Sequence, residues 1–204
     1  LLNFRWKFLV HKIATFPTKK NIAQNMKKLT LLIISIVFFN CKIENQSQVD
    51  YADSLSNCLT KNEIKLLNRG CELFEKEILK INEKNNVGNS YKEYVESFKE
   101  YPRKISESEN VNEYLIELKK SELYHKIWTE NQLNENFLNC LIEKSQKPKV
   151  KELLNGYKEI IDIALMLVSE GLNKSLTEKE FDSKTMKIFI GIEFYYGLRI
   201  NQIQ

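Results

Sequence analysis

An apolar stripe with helical spacing is the strongest constraint on how this chain folds. Thr60-Lys61-Asn62-Glu63 forms a capping box, in which the Thr hydroxyl and the Glu carboxylate each accept a backbone N–H at a helix start. Behind it, apolar residues recur with spacings of three and four: Ile64, Leu67, Cys71, Phe74, Ile78 and Ile81. That period places them on one face of an α-helix, which must pack against other elements of the fold.

Further segments show the same helical period. They cover about 90–101, where Ser90-Tyr91-Lys92-Glu93 is a second capping box, and about 110–128, 133–144, 150–170 and 184–200. The segment 150–170 is the most apolar, so we expect it in the middle of a bundle, ending at Gly171. No segment alternates with a period of two residues, as a strand would. The sequence therefore predicts an all-α domain over residues 60–204, a bundle of five to six helices.

Basic residues are concentrated at the N-terminus. The 204 residues include 31 Lys and Arg against 27 Asp and Glu, but seven basic residues and no acidic residue lie in residues 1–40. Residues 41–204 therefore carry 24 basic and 27 acidic side chains, a net charge of −3. Their lysines alternate with glutamates along helix surfaces, as in 76–84, which is typical of a solvated face. We therefore expect no nucleic-acid partner.

A short basic segment and an apolar run precede the first cysteine. Met26-Lys27-Lys28 is followed by an uncharged run, Leu29 to Phe39, and then by Asn40 and Cys41. A membrane-spanning helix needs about 20 apolar residues, so this run predicts the core of a signal peptide instead. Residues 26–44 resemble a bacterial lipoprotein signal peptide of the signal peptidase II type, in the looser form found in Bacteroidota.

The resemblance implies cleavage before Cys41, a lipid on its thiol and a membrane anchor. Residues 26–40 are then the signal peptide, and the protein lies in the bacterial envelope, at the periplasmic face or on the outer membrane surface. Phe38-Phe39-Asn40 departs from the Leu, Ala/Ser and Gly/Ala that are commoner before the lipidated cysteine. The alternatives are a single-pass anchor and an ordinary cleaved signal peptide.

The segments on either side of the signal are interpreted separately. Residues 1–25, which begin with Leu1, are expected to be upstream translation rather than native protein, with Met26 as the start. The alternative is a basic amphipathic membrane-binding segment. Residues 41–59 are mostly polar and predict the lipidated cysteine followed by a flexible tether.

Three cysteines remain if Cys41 carries a lipid: Cys58, Cys71 and Cys140. Exported proteins form disulfides. Cys58 and Cys71 are separated by most of a predicted helix, roughly 18 Å at 1.5 Å per residue. The Cα atoms of a disulfide lie only about 4.4–6.8 Å apart. Any disulfide is therefore predicted to join Cys140 to Cys71 or Cys58; the alternative is unpaired thiols, with Cys71 and Cys140 buried as small apolar side chains.

Glu193, Tyr196 and His125 are the candidates for a pocket. Glu193 lies in the apolar run 188–197 with no cation one helical turn away. It is predicted either to meet a partner on another helix or to line a pocket, and burial would raise its pKa. Tyr196 is its neighbour on the same helix face. His125 is predicted to be a surface or half-buried residue, because no zinc-site or nucleophile–base spacing surrounds it.

No sequence motif points to a particular chemistry. The chain lacks phosphate-binding, dinucleotide-binding, hydrolase and calcium-loop motifs. We therefore expect no catalytic residue, metal site or cofactor, and we do not favour an enzyme. The expected function is a lipid-anchored envelope protein whose helical domain binds a ligand or a protein partner; one version is an immunity-type lipoprotein that blocks a toxin. The alternative is an envelope enzyme or small-ligand binder that uses a buried carboxylate such as Glu193.

Overall fold

The structure is a computed structural model that describes residues 50–81, 86–99, 108–130, 132–160 and 164–202. Its helices, in chain order, are α1 (Lys61–Ile81), α2 (Val87–Glu96), α3 (Glu109–Lys120), α4 (Glu122–Ile127), α5 (Glu135–Lys144), α6 (Pro148–Lys158), α7 (Leu165–Ser175), α8 (Glu178–Phe181), α9 (Lys184–Ile190) and α10 (Gly197–Ile200). Two-residue strands, β1 (Trp128–Thr129) and β2 (Gln132–Leu133), pair antiparallel. The fold is predominantly helical, so the all-α prediction is confirmed.

The start of α1 follows the predicted capping box. The Glu63 carboxylate accepts the backbone N–H of Thr60 at 2.7 Å, and the Thr60 hydroxyl accepts the N–H of Glu63 at 3.4 Å. The middle of the predicted stripe is buried, at Leu67, Cys71, Phe74 and Ile78. The second predicted start is wrong: α2 begins at Val87, because the Asn86 side chain caps it by accepting the N–H of Asn89 at 2.8 Å. Ser90 therefore lies inside α2.

The centre of the fold is the last helical stretch of the chain. A π-helical turn, Gly191–Tyr196, joins α9 to α10. Nearly every apolar residue of this stretch is buried: Met186, Ile188, Phe189, Ile190, Ile192, Phe194, Tyr195, Tyr196 and Ile200. It contacts α1, α2, α3 and α5, so helices from earlier in the chain pack around it.

The prediction of a central helix at 150–170 is wrong. α6 ends at Lys158, α7 begins at Leu165, and Gly171 lies inside α7 rather than after a helix end. Both helices bury only part of their apolar surface. The apolar run was expected to be covered on all sides, but Ile160 and Leu167 are each 51% exposed.

Aromatic rings fill the space between α1, α2 and the π-helical turn. The Phe74 ring lies 5.4 Å from the Tyr91 ring, 5.0 Å from the Tyr94 ring and 4.7 Å from the Tyr195 ring, between ring centroids. Edge-to-face and tilted contacts at these distances stabilise a core beyond the area that the rings bury. The Tyr94 hydroxyl also donates to the carbonyl of Phe194 at 3.0 Å.

Residues 50–59 belong to the folded domain, although the sequence placed them in the tether. Tyr51, Ala52 and Leu55 are almost fully buried. The side-chain oxygen of Asn68 accepts the backbone N–H groups of both Tyr51 and Ala52, at 3.0 and 2.7 Å. These bonds satisfy buried backbone donors that would otherwise be costly. The predicted flexible tether therefore excludes residues 50–59; Cys41 and residues 42–49 lie outside the described part of the chain.

An ion pair with low exposure joins α9 to α1, and Tyr51 of this segment forms a hydrogen bond to it. The Lys187 ammonium lies 3.0 Å from the carboxylate of Glu75, and their side chains are only 12% and 15% exposed. Tyr51 donates its hydroxyl proton to the same carboxylate at 2.8 Å. The ammonium also lies 5.7 Å and 5.6 Å from the ring centroids of Tyr51 and Tyr91. Because the charges are shielded from water and paired, removing one leaves the other unbalanced.

A disulfide joins Cys58 to Cys140. The Cα atoms are 6.5 Å apart, and the two residues are 82 positions apart in the sequence. The bond connects the segment before α1 to α5, which bears Cys140. Cys71 stays unpaired, buried on α1. Of the two pairings that the sequence left open, the structure contains the one with Cys58.

The predicted helix 110–128 is interrupted at Ser121. Its hydroxyl donates to the carbonyl of Leu118 at 2.7 Å, and its extended backbone separates α3 from α4. β1 then follows α4 directly, and Glu130 in the turn to β2 has a φ of 51°. The sequence predicted no strand, since two residues are too few to show an alternation.

Candidate functional site

A groove lies between α6 and α7 on the described surface. Its volume is about 500 Å³, which is in the usual range for small-ligand sites. One face of α6 and one face of α7 form its walls, and Phe189 of α9 lies at its floor. The residues that line it are mainly apolar and include Leu153, Leu154, Tyr157, Ile160, Leu167, Val168 and Leu172.

The two ends of this groove differ in polarity. At one end lie Ile160 and Leu167, each 51% exposed. At the other end lie Lys149, Glu152 and Ser175. α6 ends at Lys158 and α7 begins at Leu165, so their adjoining ends lie near Ile160 and Leu167 and their far ends lie near Lys149 and Ser175. Apolar and polar surface are therefore separated along the length of the groove.

Glu193 lies behind the wall of the groove. The Tyr157 hydroxyl donates to its carboxylate at 2.7 Å. Burial raises the pKa of Glu193, and the Tyr157 hydrogen bond opposes that effect. Burial also raises the pKa of Tyr157, as does the neighbouring carboxylate. Glu193 thus meets a neutral partner from another helix, and Tyr157, not Glu193, contributes to the groove surface.

Tyr196 is a core residue. It is almost fully buried, and its hydroxyl donates to the carbonyl of Gly70 at 2.7 Å. Its ring lies 4.8 Å from the ring of Tyr114, between centroids. Tyr196 and Glu193 point to different surroundings because both lie in the π-helical turn. Its i→i+5 hydrogen bonds rotate successive side chains by a different angle from that of the α-helix predicted from the sequence.

His125 lies at a separate surface. It is an exposed residue of α4, and its ring lies 5.2 Å from the Tyr124 ring. It lines a shallow hollow of about 290 Å³ together with Cys58, Lys126, Asn134 and Phe137. The three residues proposed from the sequence to share a pocket therefore have three different surroundings.

The described part of the chain contains neither a candidate metal site nor a candidate membrane span. No group of three or more His, Cys, Asp or Glu side chains there could hold a metal ion. None of the helices in that part of the chain combines the length and the apolar character needed to cross a bilayer. The predicted lipid-bearing residue, Cys41, lies outside it.

The residues of the groove were not singled out from the sequence. Ile160 and Leu167 belonged to a run that was predicted to be buried. Gly156 and Gly171 could have indicated the groove from the sequence, because a glycine inside a helical pattern usually has a packing or functional reason. Gly171 was instead interpreted as a helix end.

Comparison with known proteins returned no match. No family model matches the sequence, and no curated protein and no solved structure is significantly similar to it.

Proposed function

We propose that this protein is a lipid-anchored binding module of the bacterial cell envelope, and that the groove between α6 and α7 is its binding site. The observation that carries the proposal is the open apolar groove of about 500 Å³. Its helices form a preformed concave surface with few polar groups, which is the usual character of a ligand site. The anchor is the lipid on Cys41 that the resemblance of residues 26–44 implies.

The distribution of exposed apolar side chains supports binding at this place. Among the described residues, the large apolar side chains with high exposure are Ile81, Ile116, Ile160, Met166, Leu167 and Leu198. Ile160 and Leu167 line the apolar end of the groove, and Met166 is next to Leu167 in the chain. Single exposed apolar residues are ordinary, whereas a cluster beside a groove is typical of a contact surface.

The disulfide supports export. Bonds such as Cys58–Cys140 persist in the periplasm and outside the cell and are rare in the cytosol.

Glu193 supports binding rather than catalysis. Its carboxylate is engaged by the Tyr157 hydroxyl, so it holds a groove residue in place.

Replacing Cys41 with Ser tests the anchor. The wild-type chain, expressed in a Bacteroidota host, should incorporate labelled palmitate and sediment with membranes. The Cys41→Ser chain should incorporate no label. Cys71→Ala is the matched control, since it removes the unpaired thiol of α1 without breaking the disulfide and should leave labelling unchanged. Equal labelling of wild type and Cys41→Ser would contradict the anchor.

A charged substitution tests the groove. The fluorescent apolar probe 1-anilinonaphthalene-8-sulfonate should bind the folded wild type, and Leu167→Asp should abolish most of its fluorescence. Ile116→Asp is the control, because Ile116 is 42% exposed on α3, away from the groove. If both variants change the signal equally, the groove is not the binding site.

A further inference from the structure

The disulfide between Cys58 and Cys140 is exposed at one end only. Cys58 lies in the segment before α1 and is an exposed residue, whereas Cys140 of α5 is only 3% exposed. A disulfide is exchanged when a thiolate attacks one of its two sulfur atoms and the other sulfur leaves. A thiol from solvent can therefore reach the sulfur of Cys58, while burial shields the sulfur of Cys140.

Open space adjoins the exposed end of the bond. The shallow hollow of about 290 Å³ is lined by Cys58 together with residues of α4 and α5, including His125, Lys126 and Phe137. Cys140 is not among the residues that line it. The rate of exchange depends on access to the sulfur that is attacked. The hollow lies on the Cys58 side of the bond, so it offers room for the thiol-bearing side chain of a partner.

Charges of both signs surround this hollow. The Lys126 ammonium lies 2.8 Å from the carboxylate of Glu63, and Glu135 begins α5 next to Asn134. The property that distinguishes the hollow is therefore access to the sulfur of Cys58 and not its charge. A thiol that is tested here needs no charged group.

The disulfide holds the start of the folded domain to α5. The 3₁₀ turn Asp53–Leu55, shortly before Cys58, also packs against α5. Noncovalent contacts hold the rest of residues 50–59, among them the hydrogen bond that Asn68 accepts from the backbone of Ala52. Reduction of the disulfide removes the covalent link and leaves these contacts. It therefore changes how the segment that follows Cys41 in the chain is attached to the domain.

The third cysteine of the described chain is shielded from exchange. Cys71 is unpaired, and it is buried on α1 with an exposure of 2%. Buried structural cysteines are inert towards thiol reagents. A thiol that exchanges with Cys58 must therefore come from another molecule.

We propose that Cys58 is a thiol-exchange site, at which a partner dithiol reduces the Cys58–Cys140 bond and releases residues 50–59 from their covalent link to α5. The first thiolate of the partner attacks the sulfur of Cys58. The electron pair of the S–S bond passes to the sulfur of Cys140, which takes up a proton. The second thiolate of the partner then attacks the mixed disulfide and releases Cys58 as a thiolate. Two electrons pass to the domain, and the partner becomes a disulfide.

Reduction by dithiothreitol, an uncharged dithiol, tests the proposal. The protein is the full chain with Cys41→Ser, and reduction is followed by alkylation and mass spectrometry, without denaturant and in concentrated urea. The folded protein should be reduced at no less than about one hundredth of the rate of the unfolded chain, because Cys58 is accessible in the fold. A disulfide that opens only by global unfolding would be reduced at least about a thousandfold more slowly, since folded chains outnumber unfolded chains by at least that ratio in ordinary domains.

Two matched variants identify the sulfur that exchanges. Cys140→Ala leaves the thiol of Cys58, Cys58→Ala leaves that of Cys140, and both lack the same disulfide. The thiol of Cys58 should react with dithiobisnitrobenzoate at least about a hundredfold faster than that of Cys140, because burial protects a thiol. Cys71 reports folding in both variants, since it should stay unreactive until urea is added. If either variant unfolds, the reduction rate of the native disulfide decides alone.

Either of two results would overturn the inference. One is reduction of the folded protein more than about a hundredfold more slowly than the unfolded chain. The other is equal reactivity of the Cys58 and Cys140 thiols in variants that keep Cys71 unreactive. The exchange site is separate from the groove between α6 and α7, so these results leave the proposed binding function to its own test with Leu167→Asp.

Discussion

Replacing Cys58 with Ser removes the disulfide to Cys140 and should lower the free energy of unfolding by about 4.5 kcal/mol. The bond joins residues 82 positions apart. Closing a loop of that length removes about 15 cal/mol/K of entropy from the unfolded chain, or about 4.5 kcal/mol near room temperature. Cys58 is exposed, so the exchange of sulfur for oxygen should by itself change the free energy of unfolding by no more than about 0.5 kcal/mol. Domains are typically stable by about 5–15 kcal/mol, so this loss is roughly a third or more of the total.

Urea denaturation followed by circular dichroism measures the difference. Oxidised wild type is compared with Cys58→Ser and with wild type in a reducing agent, and the last two should unfold at similar urea concentrations. The melting temperature should fall by roughly 9–18 °C for a domain of this size. A reducing agent should not change Cys58→Ser further. If the free energy of unfolding of Cys58→Ser lies within about 1 kcal/mol of that of oxidised wild type, the loop-closure argument is refuted.

Five further substitutions, in three comparisons, have expected outcomes. Burial raises the pKa of Glu193 above its ordinary 4.5, so wild-type stability should fall as pH rises from there through the raised pKa. Glu193→Gln should remove that fall; a stability difference from wild type that is constant with pH would contradict this. Gly88→Ala places a methyl group on a backbone carbonyl of α8 and should destabilise by about 1–3 kcal/mol, whereas Gly156→Ala should stabilise by about 1 kcal/mol; equal melting temperatures would count against the packing argument. Lys187→Met leaves a shielded carboxylate unpaired and should cost about 3–5 kcal/mol. Lys184→Met breaks an exposed ion pair and should cost at most about 1 kcal/mol; similar urea midpoints for these two variants would argue against a buried pair.

Local structure was predictable where capping and apolar spacing agree. At α1 the capping box and the stripe behind it gave the correct start, because both depend on residues within a few positions of one another. At α2 the apparent capping box at Ser90 was misleading, since Asn86 supplies a cap one turn earlier. At Ser121 a side-chain bond to the preceding turn interrupts a helical period that continues in the sequence.

Burial was less predictable than helix formation. The segment 150–170 is the most apolar, yet Ile160 and Leu167 on it are half exposed, whereas the last helical stretch is buried. An apolar run shows what a helix can bury, but the neighbouring elements decide what is covered. The groove arises from this difference, because two apolar helices stand apart over Phe189.

The sequence by itself determined the helical class, the start of α1 and the lipoprotein-like pattern of residues 26–44, since each depends on neighbouring residues. Only the tertiary structure decided that Cys140 pairs with Cys58, that Glu193 meets the neutral Tyr157, and that residues of α6 and α7 line one groove. These features join positions far apart in the chain. Their distances follow from packing, which a local pattern does not contain.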